Sequence, residues 1–154
     1  MIHTYKRGFT AMELLIVIAA IGMLALVVLP QFSKNRERQV LKSGVQSVLS
    51  SLDKARVETL SSLNSSTYGV HFQSNQVIIF QGTSYSGSNV IEAVSIVSPA
   101  SISNVTLGGV SASSGDVYFN RLSAEPNQTG TVTISTTSYS KIITISATGM
   151  VSSN

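Results

Sequence analysis

Few residues in this chain have types that could do chemistry. Among 154 residues there is no Cys, which excludes disulfides, thiolate zinc sites, iron–sulfur clusters and cysteine nucleophiles. There are two histidines, His3 near the start and His71 in a β-like run. A lone histidine in such a run reads as an ordinary core or surface residue rather than a ligand. Asp116 and Glu125 are isolated acids, so a calcium site built from clustered carboxylates is not expected. No Ser–His–Asp set, glycine-rich phosphate loop or paired-carboxylate site is evident. The sequence therefore predicts a protein that is not an enzyme, with no metal and no cofactor. One titratable residue stands out. Glu13 is the single charge between Phe9 and Phe32. An acid within a membrane helix costs a few kcal/mol, less near the interface than at the centre. It either reaches water at the interface or is a buried carboxylate that needs a cationic partner.

The element that holds Glu13 is an apolar helix. Leu14 to Leu29 is an uninterrupted apolar run, and a membrane span needs about 20 such residues at ~1.5 Å rise each. A secretory signal has a shorter apolar region, ~7–15 residues, and a small-residue cleavage site after it. Here the run ends in Pro30-Gln31-Phe32 and continues into a helical pattern. Lys6 and Arg7 precede the span, and Lys34, Arg36 and Arg38 follow it, so the positive-inside rule does not decide its orientation.

The stretch Lys6-Arg7-Gly8-Phe9-Thr10-Ala11-Met12-Glu13-Leu14-Leu15-Ile16-Val17-Ile18 resembles the class III signal sequence of type IV pilins and type II secretion pseudopilins. The resemblance covers about the first thirty residues. It implies cleavage after Gly8 by a prepilin peptidase, N-methylation of the new N-terminal Phe9, and an assembly role for Glu13. Gly22 and Pro30 match helix-loosening positions of many pilins. The physics is consistent with each role. Gly8 lets the scissile bond lie extended in a narrow cleft. The resemblance implies that Lys6 and Arg7 stay with the leader on the cytoplasmic side, where basic residues are favoured. Cleavage leaves a cationic amine at Phe9, which an acid on a neighbouring subunit neutralises in a low-dielectric bundle. Pro30 lacks an N–H and Gly22 lowers helix propensity, although membrane helices also carry such residues without special function.

Beyond Pro30 the pattern becomes that of an amphipathic helix. Leu41, Val45, Val48, Leu52 and Ala55 recur at spacings of four and three, and Leu49 and Leu60 widen the stripe. This face should pack on a sheet. Arg36, Glu37, Arg38, Lys42, Asp53, Lys54, Arg56 and Glu58 lie mostly off it and read as a solvated face. Ser61 to Ser66 marks a boundary. The chain beyond that boundary is rich in Ser and Thr and reads as strands over 68–72, 76–81, 89–97, 102–107, 116–120, 130–135 and 141–146. Val132 and Ile134 should point inward, and Thr136-Thr137-Ser138 should turn a hairpin.

Three segments resemble the C-terminal region of the GspH/FimT group of minor pseudopilins and minor pilins. They are Val117 to Leu122, Gly130 to Ile134, and Ile143 to Val151 with its Thr148-Gly149-Met150-Val151 close. The expected fold is α+β: a long N-terminal helix packed by its second half on a head that is either a curved antiparallel β-sheet or β-sandwich-like. The expected organisation is a leader over 1–8, a membrane and assembly helix over 9–32, an amphipathic helix over 33–63 and a β-rich head over 64–154.

Composition agrees with that division. Only 11% of residues are charged, against about 25% in typical soluble proteins, and 43% are apolar, which excludes a charged disordered tail. Residues 1–58 carry a net +4 and the remainder −1. The expected function is a structural minor pilin or pseudopilin subunit, single-pass in the inner membrane with its head in the periplasm. It then enters a type IV pilus, reaching the cell surface, or a type II secretion pseudopilus. Its partners would be prepilin peptidase and other pilin or pseudopilin subunits. The alternative is a DNA-binding minor pilin for DNA uptake. Nucleic acid is disfavoured as a partner because the expected head holds only Arg121 and Lys141 as cations.

Overall fold

The computed structural model describes residues 8–154; His3, Lys6 and Arg7 of the expected leader lie outside them. The chain divides into two compact units, one ending at Arg36 and the other spanning Glu37–Asn154. One helix, α1 (Ala11–Leu60), contributes to both. Gly22 and Pro30 both lie within α1. In the first unit many apolar side chains are exposed, Leu14, Ile18, Leu24 and Phe32 among them. An 18-residue window of this helix has a mean hydropathy of 2.8 and is 0% buried, so the helix is long and apolar enough to cross a membrane.

In the second unit the stripe read from the sequence is the inner face of the helix. Leu41, Val45, Val48, Leu52 and Ala55 are all buried, the last three completely. They share one hydrophobic core with residues of two antiparallel sheets. The first sheet contains β1 (Tyr68–Gln73), β2 (Gln76–Gln81), β3 (Val90–Ser95) and β6 (Gly115–Tyr118), in the order β3-β2-β1-β6. The second contains β4 (Ser101–Leu107), β5 (Val110–Ala112), β7 (Gly130–Ser135), β8 (Ser140–Ile145) and β9 (Val151–Ser153), in the order β5-β4-β7-β8-β9. The α+β class with antiparallel sheets is as expected. Val70, Phe72, Val77 and Ile79 come from the first sheet, and Val132, Ile134, Ile143 and Ile145 from the second. The residues of β7 and β8 alternate with more exposed neighbours, as a sheet with one covered face requires.

Four details depart from the sequence reading. Leu60 does not widen the stripe; it is exposed, and Thr59 is fully buried in its place. The cause is helical period, since Thr59 stands four residues after Ala55. Its hydroxyl donates to the Ala55 carbonyl at 2.8 Å and accepts from the Tyr68 N–H at 2.9 Å, so its burial leaves no polar atom unpaired. The third strand is shorter than 89–97, because Asn89 is part of a turn. Its amide donates to the carbonyls of Gln81 and Ser84 while its side-chain carbonyl accepts from the Ser86 N–H. The strand expected over 116–120 spans Gly115–Tyr118 instead, with Phe119 making an isolated bridge to Pro126. Two three-residue strands, β5 and β9, have no counterpart in the sequence reading. Leu107 pairs with Val110 across Gly108 and Gly109, whose φ values of 57° and 84° fit the tight two-residue hairpin that favours glycine pairs. The turn before β9 uses Gly149 at φ 76°, with its N–H donating to the Ser146 carbonyl at 3.0 Å.

Close approach explains one further glycine. A methyl group at Gly130 would stand 2.0 Å from the Thr106 carbonyl oxygen. The β4–β7 pairing therefore requires a residue without Cβ at the start of β7.

Leu52→Ala should destabilise the second unit by about 2–5 kcal/mol, and Leu60→Ala by less than about 0.5 kcal/mol. Urea denaturation followed by circular dichroism measures both. Equal losses would contradict the stripe's ending at Thr59.

Candidate functional site at the start of the N-terminal helix

The residues singled out for chemistry occupy the entry to α1. Gly8 and Phe9 precede it in non-helical backbone, and Phe9 is 85% exposed. A methyl group at Gly8 would meet nothing within 4 Å. Thr10 is the cap of the helix. Its carbonyl accepts from the Leu14 N–H at 3.1 Å, and its hydroxyl oxygen accepts from the Glu13 N–H at 3.3 Å. Glu13 is exposed in the first turn. Helix starts expose unpaired N–H groups and a positive dipole end, which favours an acid there by about 0.3–1 kcal/mol. Thr10 and Glu13 thus occupy the two ends of a capping-box spacing, with the Thr side of that exchange formed. The sequence reading missed this role, although Thr-x-x-Glu before an apolar run is its signal. Glu13 therefore has a local reason to sit where it does as well as any reason supplied by a partner.

The second unit brings together residues that lie far apart in sequence. His71 on β1 is directly opposite Asp116 on β6. Its Nδ1 hydrogen-bonds the Asp116 carboxylate, and its Nε2 lies 3.1 Å from the Gln73 amide nitrogen. That network fits a tautomer with the proton on Nδ1 and Nε2 accepting from Gln73. Tyr85, from the β2–β3 loop, stacks on the imidazole with ring centres 4.0 Å apart and planes 6° apart. The Tyr85 N–H donates to the other Asp116 oxygen at 3.2 Å. Both ring nitrogens are engaged, so the arrangement pins the β2–β3 loop to its sheet. Asp116 is isolated in sequence and becomes the hub of this cluster through the β1–β6 pairing. Glu125 is exposed in the loop after β6, and its N–H donates to the Ser123 hydroxyl at 3.3 Å. Among the described residues no group of three or more His, Asp or Glu could hold a metal ion.

Several helix residues assigned to a solvated face make contacts across the fold, Glu37 and Lys54 among them. The Glu37 carboxylate accepts from the Thr136 hydroxyl at 3.3 Å and the Ser138 N–H at 3.1 Å, bracing the β7–β8 turn. Lys54 pairs with Glu92 on β3 and lies 4.0 Å from Glu58. The hydrogen bond to Glu92 is the main cause holding the exposed Lys54 ammonium above its ordinary pKa, with smaller charge contributions from Glu92 and Glu58 and a partly opposing effect of burial. Arg121, one of the two expected head cations, donates to the Ser65 carbonyl at 2.8 Å. No family model, no curated protein and no solved structure matches this chain.

Thr10→Ala should loosen the first turn of α1 by about 1 kcal/mol. Amide exchange at Glu13 should accelerate roughly fivefold, and an unchanged rate would contradict the cap. The Lys54 shift has a definite sign. A lysine pKa raised on folding stabilises the folded state at neutral pH, and the contribution disappears as pH rises through that raised value. Glu92→Gln should therefore lower Tm slightly at neutral pH and have no effect in strong alkali; a deficit that persists there would show that the pair is not its origin.

Proposed function

We propose that this chain is a structural subunit of the pilin and pseudopilin type, made as a single-pass inner-membrane precursor with its head in the periplasm. Prepilin peptidase would cut after Gly8, Phe9 would be N-methylated, and α1 would assemble with other pilin or pseudopilin subunits into a type IV pilus or a type II secretion pseudopilus. One observation carries this reading. The exposed, non-helical Gly8-Phe9 peptide directly precedes a capped helix whose first part exposes Leu14, Ile18, Leu24, Phe32 and further apolar side chains. Fully burying one such side chain is worth about 1.5–3 kcal/mol, so a helix with this many calls for a lipid or protein environment. A helix of a filament subunit uses both in turn.

The residue roles follow from charge and backbone chemistry. After cleavage the Phe9 amine is a cation at the head of an apolar segment. Glu13 of a neighbouring subunit offsets it, and the pairing selects one axial register, because any other leaves two unpaired charges in a dry interface. Gly22 and Pro30 supply weak points at which the helix can loosen on leaving lipid. The Thr148-Gly149-Met150-Val151 close, one of the segments that carry the GspH/FimT-like resemblance, leads through a turn into β9. That resemblance favours a minor subunit.

Glu13→Gln keeps the shape and the cap acceptor geometry but removes the charge. Its recovery with partner subunits in affinity purification should fall by more than about tenfold, as expected for leaving a buried cation unpaired. Recovery equal to wild type would remove Glu13 from assembly.

A further inference from the structure

The cations of the second unit are not dispersed. Positions 38, 41, 42 and 45 share one face of α1, where Leu41 and Val45 form an apolar floor and Arg38 and Lys42 form its rim. Tyr139 and Lys141 close the opposite side, bringing three cations around a groove of ≈ 420 Å³. That volume falls within the range of small-ligand sites. Among the described residues none of the three cations is in an ion pair. Glu37, the acid next to Arg38 in sequence, directs its carboxylate to the β7–β8 turn. The Arg38 guanidinium lies over the Tyr139 ring, 4.8 Å from its centre. The ring face attracts the cation, and a guanidinium can meet an anion in two parallel hydrogen bonds.

We propose that this groove binds the phosphate of an anionic phospholipid headgroup. Three converging cations call for a phosphate, and the apolar floor suits the glycerol and first methylenes of an amphiphile. A nucleic acid would instead need a longer track of cations and a free aromatic face for stacking, and Tyr139 is already covered by Arg38. The proposal rests on the membrane-anchored part of the functional reading. Arg38 follows Phe32, the last apolar residue of the expected span, by six positions. Six residues reach at most about 21 Å even when fully extended, so an anchored chain keeps the groove near headgroups. Basic residues beside a span attract anionic lipid surfaces in this way.

The test uses the full-length chain in a neutral detergent, with amide NMR shifts at Ser140, Lys141 and Ser153 as the readout. Short-chain phosphatidylglycerol should give saturable shifts, phosphatidylcholine none, and inorganic phosphate weaker shifts at the same amides. Each neutralised cation should weaken phosphatidylglycerol binding by roughly fivefold, so Arg38→Gln, Lys42→Gln and Lys141→Gln together should weaken it by about 100-fold. All three side chains are exposed, so the triple variant should keep the wild-type circular dichroism spectrum. Equal binding of the two lipids, undiminished binding by the triple variant, or tighter binding of a single-stranded oligonucleotide would overturn the proposal. Carbonate extraction of cell membranes reads the anchor separately. Release of the wild-type chain contradicts the anchored reading, whereas failed lipid discrimination by a carbonate-resistant chain overturns the headgroup proposal alone.

Discussion

The second unit depends on one stripe of a helix. Leu41, Val45, Val48, Leu52, Ala55 and Thr59 form the surface that joins both sheets into a single core. Neither sheet is large, and small antiparallel sheets are stable only when one face is covered. Phe72, Ile79, Ile134 and Ile143 belong to that same core. The polar member is placed with the same economy. Thr59 ends the stripe, and its hydroxyl ties the last turn of the helix to the first strand through the Tyr68 N–H.

The same helix carries a second and opposite constraint. Its first part exposes a run of large apolar side chains, including Leu14, Ile18, Leu24 and Phe32. Water is a poor solvent for such a surface, so its environment must come from elsewhere. Glu13 is the one charge placed in this run, in the turn where the helix dipole already favours an anion. A carboxylate held at that end is available to a cation on another chain without costing the helix its cap. In the proposed assembly, local helix stability and pairing with a neighbouring subunit would place the same demand on one position.

Periodicity makes much of this legible. The stripe, the α+β class and most strands follow from spacings of three and four, then from β-branched runs between turn residues. The departures have physical origins. Hydrophobicity alone points Leu60 inward, whereas the helical angle places Thr59 there. The strand at Val110 carries a readable signal in Gly108-Gly109, yet three residues are too few to show alternation. Thr10 is readable as a cap from its spacing to Glu13. Contacts set by topology are not readable at all. Nothing local announces that His71 will face Asp116, that Glu37 will brace a turn at Ser138, or that Lys141 will join Arg38 and Lys42. The first needs the register of β1 with β6, and the other two need α1 to pack against the β7–β8 hairpin.

The central claim is that the N-terminal helix is a processed assembly segment. Intact mass and peptide sequencing of the chain recovered from membranes of its native host test it most directly. The account predicts a mature chain that starts at N-methylated Phe9, with residues 1–8 removed. A chain that retains Met1, or begins at any residue other than Phe9, would contradict it.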